Sequence, residues 1–120
     1  MIPALALENI SCTFISRDDR SQRYTALKDT TLVAREGEFV CVVGPTGCGK
    51  STLLNVAAGL LQPSSGSVQV FGKPLTGFND HVGYLFQAAA CMSRRSVLAN
   101  VIVGLEFRCV GHADAVIREY

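Results

Sequence analysis

One short stretch constrains this chain more than any other: Gly44-Pro45-Thr46-Gly47-Cys48-Gly49-Lys50-Ser51-Thr52 satisfies G-x-x-x-x-G-K-[ST], a phosphate-binding loop. Glycines at this spacing let the backbone wrap an anion with successive N–H groups pointing inward, because positions without Cβ tolerate the positive φ of a concave turn. Lys50 supplies a positive charge for β- and γ-phosphates and Ser51 a hydroxyl for Mg²⁺, while Thr52 is the weaker candidate on the α-phosphate side. A helix beginning near Gly49 adds its positive N-terminal end to the same anion.

Such a motif is credible only between a buried strand and a helix, and the sequence predicts both. Glu38-Phe39-Val40-Cys41-Val42-Val43 is a short apolar, β-branched run, as a strand covered on both faces should be. From Lys50 to Leu61 the texture turns helical, with Leu53, Leu54, Val56, Ala57, Leu60 and Leu61 in a broad apolar stripe and Gly59 loosening its end. These flanks disfavour the alternative of a Gly-rich turn that binds nothing.

Taken in order, residues 4–15 predict a first strand, Ser16–Gln22 a polar loop, and Ala26–Val33 a second strand that leads through a tight turn at Arg35-Glu36-Gly37. Beyond the helix, Pro63-Ser64-Ser65-Gly66 breaks the chain and Ser67–Gly72 alternates as a half-buried strand. Lys73–Asn79 reads as a loop, and His81–Phe86 as another strand delivering Gln87 at its end. Ser96–Val110 and the residues from about Ala113 onward are helical in pattern, with a break at Gly111.

A length of 120 residues suits one modest domain, and a net charge of +1 gives no basic field for nucleic acid. No run of about eighteen apolar residues predicts a membrane span, and Met1-Ile2-Pro3-Ala4-Leu5 lacks the basic start of a secretory signal, so the expected location is cytoplasmic. Five cysteines, Cys12, Cys41, Cys48, Cys91 and Cys109, form no C-x-x-C pair and read as reduced thiols rather than as a zinc site with His81 or His112.

Together these residues resemble the N-terminal half of an ATP-binding subunit of an ABC transporter. The resemblance rests on Ala26-Leu27-Lys28-Asp29 before Gly37-Glu38-Phe39-Val40, the loop Gly44–Thr52, Ala58-Gly59-Leu60, Pro63-Ser64-Ser65-Gly66 and Val82-Gly83-Tyr84-Leu85-Phe86-Gln87. Within the family the chain is similar to importer subunits of the nitrate, sulfonate and taurine group. The fold so implied is α/β: a P-loop core of parallel sheet and helices with N-terminal antiparallel strands, residues 1–87, followed by the start of a helical subdomain, residues 88–120.

The resemblance also implies roles. ATP and Mg²⁺ are the expected ligands, held by Gly44, Pro45, Thr46, Gly47, Cys48, Gly49, Lys50, Ser51 and Thr52. Phe14 stands where the family stacks an aromatic ring on adenine, and it is preferred over Tyr24, which abuts Thr25-Ala26-Leu27; a strand-end core residue is the alternative for Phe14. Gln87 corresponds to the Q-loop glutamine, whose amide oxygen reaches Mg²⁺ while its nitrogen orients water, so Lys50 and Gln87 are the catalytic candidates. Implied partners are a second ATP-binding subunit in a head-to-tail homodimer, transmembrane permease subunits and, indirectly, a solute-binding protein, with the chain peripheral on the inner face of the membrane. The family continues with an LSGGQ signature, a strand ending Asp-Glu (the Walker B carboxylate and general base) and a switch histidine, none of which occurs in these 120 residues. His112 reads as a surface residue, and Cys91-Met92-Ser93-Arg94-Arg95 departs from the usual apolar stretch as a solvated turn. The resemblance therefore implies an ATPase that drives solute import. Two alternatives stand beside it: a catalytically inactive nucleotide-binding fragment, and an unrelated P-loop NTPase or kinase.

Overall fold

The computed structural model describes residues 1–88 and 91–107. The chain divides into two compact units, Met1–Val82 and Gly83–Tyr120.

In the first unit, β1 (Leu5–Ile15) and β2 (Arg23–Ala34) form a long antiparallel hairpin around the polar loop anticipated at Ser16–Gln22. Strand β3 (Ser65–Val70) joins the other edge of β1, and a two-residue β4 (Lys73–Pro74) completes a four-stranded sheet of order β2-β1-β3-β4, antiparallel throughout. The inward face of β1 does not follow strict alternation: Leu7 and Ile10 are both fully buried although three positions apart. A bulge explains it. Between the pairs Leu7↔Leu32 and Ile10↔Thr30, β1 advances three residues while β2 advances two, and the extra residue is accommodated at Asn9 with φ of 51°. Between Ile10↔Thr30 and Cys12↔Leu27 the surplus passes to β2, where Asp29 has φ of 44°. These two offset each other, and a further irregularity follows between Cys12↔Leu27 and Thr13↔Thr25, where β2 advances two residues for one of β1.

Helix α1 (Lys50–Ala57) lies against this sheet, and Leu53, Val56 and Ala57 meet Leu7, Ile10, Cys12 and Leu27 in one buried cluster. Each large aliphatic side chain so enclosed contributes about 1.5–3 kcal/mol of transfer free energy. Burial also pushes the Cys12 thiol above its ordinary pKa, against a smaller opposing effect of its hydrogen bond with the Ser64 backbone.

The stripe predicted to run to Leu61 stops at Ala57, and the reason is local. Gly59 adopts φ of 72°, its N–H donates to the Val56 carbonyl at 3.1 Å, and Leu60 N–H reaches back to Asn55 at 2.9 Å. This is a Schellman closure, which only a residue comfortable in the left-handed region makes at low cost. From a distant loop, the buried Asn79 donates its side-chain amide to the Ala57 carbonyl at 3.1 Å and its backbone N–H to that of Ala58 at 3.0 Å. Carbonyls at the helix end that have no partner within the helix are thereby satisfied.

The first strand and the Arg35-Glu36-Gly37 turn stand where expected, the turn closed by Glu38 N–H on the Arg35 carbonyl at 3.1 Å, while the second strand, expected from Ala26, begins three residues earlier at Arg23. The parallel sheet does not appear among the described residues. Residues 38–43 and 81–86, expected as strands, run without ladder partners, and Phe39 and Val43 are 93% and 87% exposed. A parallel strand takes its ladder from neighbours brought alongside by crossover connections, and none of the described residues supplies one. Strand β3 begins two residues earlier than predicted, and the loop expected at Lys73–Asn79 opens with β4. Phe71 and Gly72, both at positive φ, make the two-residue turn between these strands.

In the second unit, the helical pattern from Ser96 appears as two short helices, α2 (Val97–Val101) and α3 (Val103–Phe107), rather than one. Ser96 caps α2 by accepting from the Ala99 N–H at 3.1 Å. The Cys91–Arg95 turn is exposed from Cys91 to Arg94, as expected, and is tied at its ends: Asn100 accepts from Met92 N–H at 2.8 Å and donates to its carbonyl at 3.3 Å, and Arg95 pairs with Glu106 at 2.6 Å. Cys109, Gly111, His112 and the helix expected from Ala113 lie outside the described residues.

Candidate functional site

The loop between residue 43 and α1 is held by its own backbone and by β2. Cys48 N–H donates to the Pro45 carbonyl at 3.3 Å, closing a turn. Gly49 sits at φ of 96° as the N-cap of α1, and a Cβ there would stand 2.5 Å from the Ala26 carbonyl oxygen and 2.8 Å from a Leu27 methyl. Both backbone conformation and space therefore demand glycine, which packs the start of the helix directly on β2.

Lys50 turns back across the loop. Its Nζ donates to the carbonyls of Gly44 and Pro45, each at 2.7 Å, and lies 3.5 Å from Cys48 Sγ. No side chain caps α1 and no acidic residue stands in its first turn, so neither a protein carboxylate nor a hydroxyl offsets the positive end of the helix. Ammonium and helix end together make a compact cationic site on a concave backbone, the chemistry that suits a phosphate chain. Ser51, exposed in the first turn, presents the hydroxyl expected of a Mg²⁺ ligand, and Thr52 follows it partly buried. Among the described residues no group of three or more His, Cys, Asp or Glu side chains is placed to hold a metal ion.

Phe14 pairs across the hairpin with Tyr24, is 40% exposed, and lines a shallow recess with Ile15, Ser16, Gln22, Arg23 and Tyr24. The Tyr24 hydroxyl crosses from β2 to the loop and donates to the Gly47 carbonyl at 3.1 Å. The first unit thus connects the aromatic end of the hairpin with the loop Gly44–Thr52. Gln87 belongs to the second unit, where it is exposed. Two residues escaped the sequence reading: Tyr24, treated there only as a rival ring, and Asn79, which anchors the far end of α1 from 22 positions away. Neither has a sequence signal, because both act through contacts between distant segments.

Residues 27–120 match the family model described as ABC transporter. A taurine import ATP-binding protein of Pseudomonas aeruginosa is 42% identical over 114 residues, which are 95% of this chain and 42% of that protein. A bicarbonate transport ATP-binding protein of Synechocystis is 39% identical over 102 residues, 85% of this chain and 35% of the relative. The chain therefore spans less than half the length of these curated relatives. Among solved structures, a dimeric ATP-binding cassette in a post-hydrolysis state bound to ADP and Pi superposes with a TM-score of 0.76 at 30% identity, over 89% of this chain and 49% of that one. Matched by the family model over residues 27–120, the chain belongs to the ABC transporter family.

Proposed function

We propose that residues 44–52 bind the phosphates of Mg-ATP and that the chain is the nucleotide-binding part of an importer ATPase of the nitrate, sulfonate and taurine type. The observation that carries this reading is the anchoring of Lys50 on two loop carbonyls beside an uncapped helix start. Lys50 neutralises the β- and γ-phosphates, Ser51 ligates Mg²⁺, and Phe14 stacks on the purine. Gln87, the counterpart of the family's Q-loop glutamine, offers its amide oxygen to Mg²⁺ and its amide nitrogen to water. Relatives named for taurine and bicarbonate support a small polar solute as cargo. The partners are a second ATP-binding subunit, as in the dimeric cassette, and membrane permease subunits fed by a solute-binding protein, with the chain on the inner membrane face. Among the described residues no helix is long and apolar enough to cross a membrane.

Hydrolysis needs a positioned water and a general base as well as the phosphate clamp. The 120 residues contain neither the signature nor the Asp-Glu strand end, so a nucleotide-binding but inactive fragment is the second reading, favoured by the unpaired run 38–43. Calorimetric titration of Mg-ATP tests the binding step common to both. Lys50→Ala should weaken affinity about 10- to 100-fold, the scale of a lost charge-assisted hydrogen bond. Equal affinity in parent and variant would remove Lys50 from the site.

A further inference from the structure

The bond between Tyr24 and Gly47 has a consequence for how the loop meets an anion. We propose that Tyr24 is a positioning residue for the phosphate loop, its hydroxyl fixing the peptide between Gly47 and Cys48 so that the Cys48 N–H faces the loop interior. The proposal rests on the nucleotide-binding reading above for its functional meaning.

The geometry is that of a trans peptide, whose C=O and N–H point in opposite directions. With the Gly47 carbonyl turned toward Tyr24 on β2 at 3.1 Å, the Cys48 N–H must point away from β2. It does so onto the Pro45 carbonyl, the same oxygen that accepts from Lys50 Nζ. That N–H and the ammonium therefore serve one interior.

Gly47 itself does not choose this orientation. Its φ is 82°, and nothing lies within 4 Å of the position a Cβ would take. Glycine leaves its own side of the following peptide free to rotate, and the resistance to a flip falls on the φ of Cys48 and on the bonds that hold the peptide. The flipped peptide would present a carbonyl oxygen to an anion, turning an attractive dipole into a repulsive one. From within the loop only the 3.3 Å bond of Cys48 N–H to Pro45 holds the peptide, and Tyr24 adds a second hold from outside, on the β1–β2 ladder where its position pairs with Phe14 beside the Thr13–Thr25 hydroxyl pair at 3.1 Å. Tyr24 is thus separated in role from its neighbour, with Phe14 offered to the base and Tyr24 to the loop.

Tyr24→Phe deletes the hydroxyl and keeps the ring. Titrated with Mg-ATP and with Mg-tripolyphosphate, which has no base, the variant should lose about 3- to 10-fold in affinity for both, the range of one neutral hydrogen bond. Its thermal midpoint should match the parent's. Without ligand, amide exchange at Cys48 should quicken by a similar factor while exchange in α1 stays unchanged, a change that a general loss of packing would not confine to the loop. Unaltered tripolyphosphate affinity with unaltered exchange would overturn the proposal, and so would a loss seen with ATP alone, which would place Tyr24 on the base. Lys50→Ala is the reference. If parent and Lys50→Ala take up tripolyphosphate equally, the nucleotide reading fails, and the exchange rate at Cys48 then decides the loop anchor by itself.

Discussion

Phe14 and Tyr24 are the same kind of residue at paired positions of one hairpin, yet the contacts around them assign different work. Phe14 is 40% exposed beside a recess, with an open ring face and no polar atom to satisfy. A base stacked on such a ring is worth roughly 1–3 kcal/mol. Phe14→Ala should therefore weaken Mg-ATP and Mg-GTP by similar factors, because stacking reads the π-face and little else, and Phe14→Tyr should leave both nearly unchanged. Tripolyphosphate affinity should not respond to either substitution. Fluorescence or calorimetric titration of the three ligands checks this, and an unchanged ATP affinity in Phe14→Ala would return Phe14 to the strand-end packing role. Thiols divide by the same local logic. Cys12 is buried with its pKa pushed up, whereas Cys41, Cys48 and Cys91 are exposed. Since the thiolate is the nucleophile, Cys12 should be the last of these four to react with iodoacetamide in the native chain.

At the scale of elements, α1 is the part on which the site depends, and it is short. Eight residues make a helix that is marginal on its own, so its stability comes from the cluster under it and from its two ends. Gly49 seats the first end on β2. Asn79 holds the other, and Asn79→Ala should destabilise the first unit by about 1–3 kcal/mol, since the Ala57 carbonyl loses a buried partner. Chemical denaturation of parent and variant measures it, and a change under about 0.5 kcal/mol would mean that water replaces the amide.

What the sequence made legible at this scale follows from how local each signal is. The phosphate loop, the Arg35–Gly37 turn and the hairpin strands are written in adjacent residues, through glycine spacing, turn chemistry and apolar runs. The end of α1 was half legible: Gly59 marked it, but the apolar Leu60 and Leu61 carried the helical stripe past it. The paired bulges at Asn9 and Asp29 left no trace, because a surplus residue in one strand is defined only against its partner. For the same reason residues 38–43 read correctly as apolar and β-branched yet form no ladder. Composition shows what a segment wants to bury, and pairing depends on neighbours that composition does not contain.

That run carries the argument at the scale of the whole molecule. Phe39 is 93% exposed and Val43 is 87% exposed, with Val40 and Val42 at 39% each, directly before the loop that the site is built on. Burying the two most exposed of these side chains would be worth about 1.5–3 kcal/mol each, and an unpaired apolar strand is also a template for association between copies. The chain spans 42% of the taurine import ATP-binding protein it matches, and we propose that the rest of such a protein supplies parallel neighbours for the run. We expect the isolated chain to release no more phosphate from Mg-ATP than its Lys50→Ala variant does, and to self-associate as its concentration rises. Co-expression with the C-terminal remainder of the Pseudomonas aeruginosa protein should give a soluble complex in which amides 39–43 exchange slowly and Lys50→Ala abolishes a measurable turnover. Light scattering, hydrogen exchange and a phosphate-release assay report the three quantities on one preparation. Turnover by the isolated chain well above the Lys50→Ala background would contradict the need for added segments. A soluble complex in which residues 39–43 still exchange freely would show that the run is not where the second piece docks.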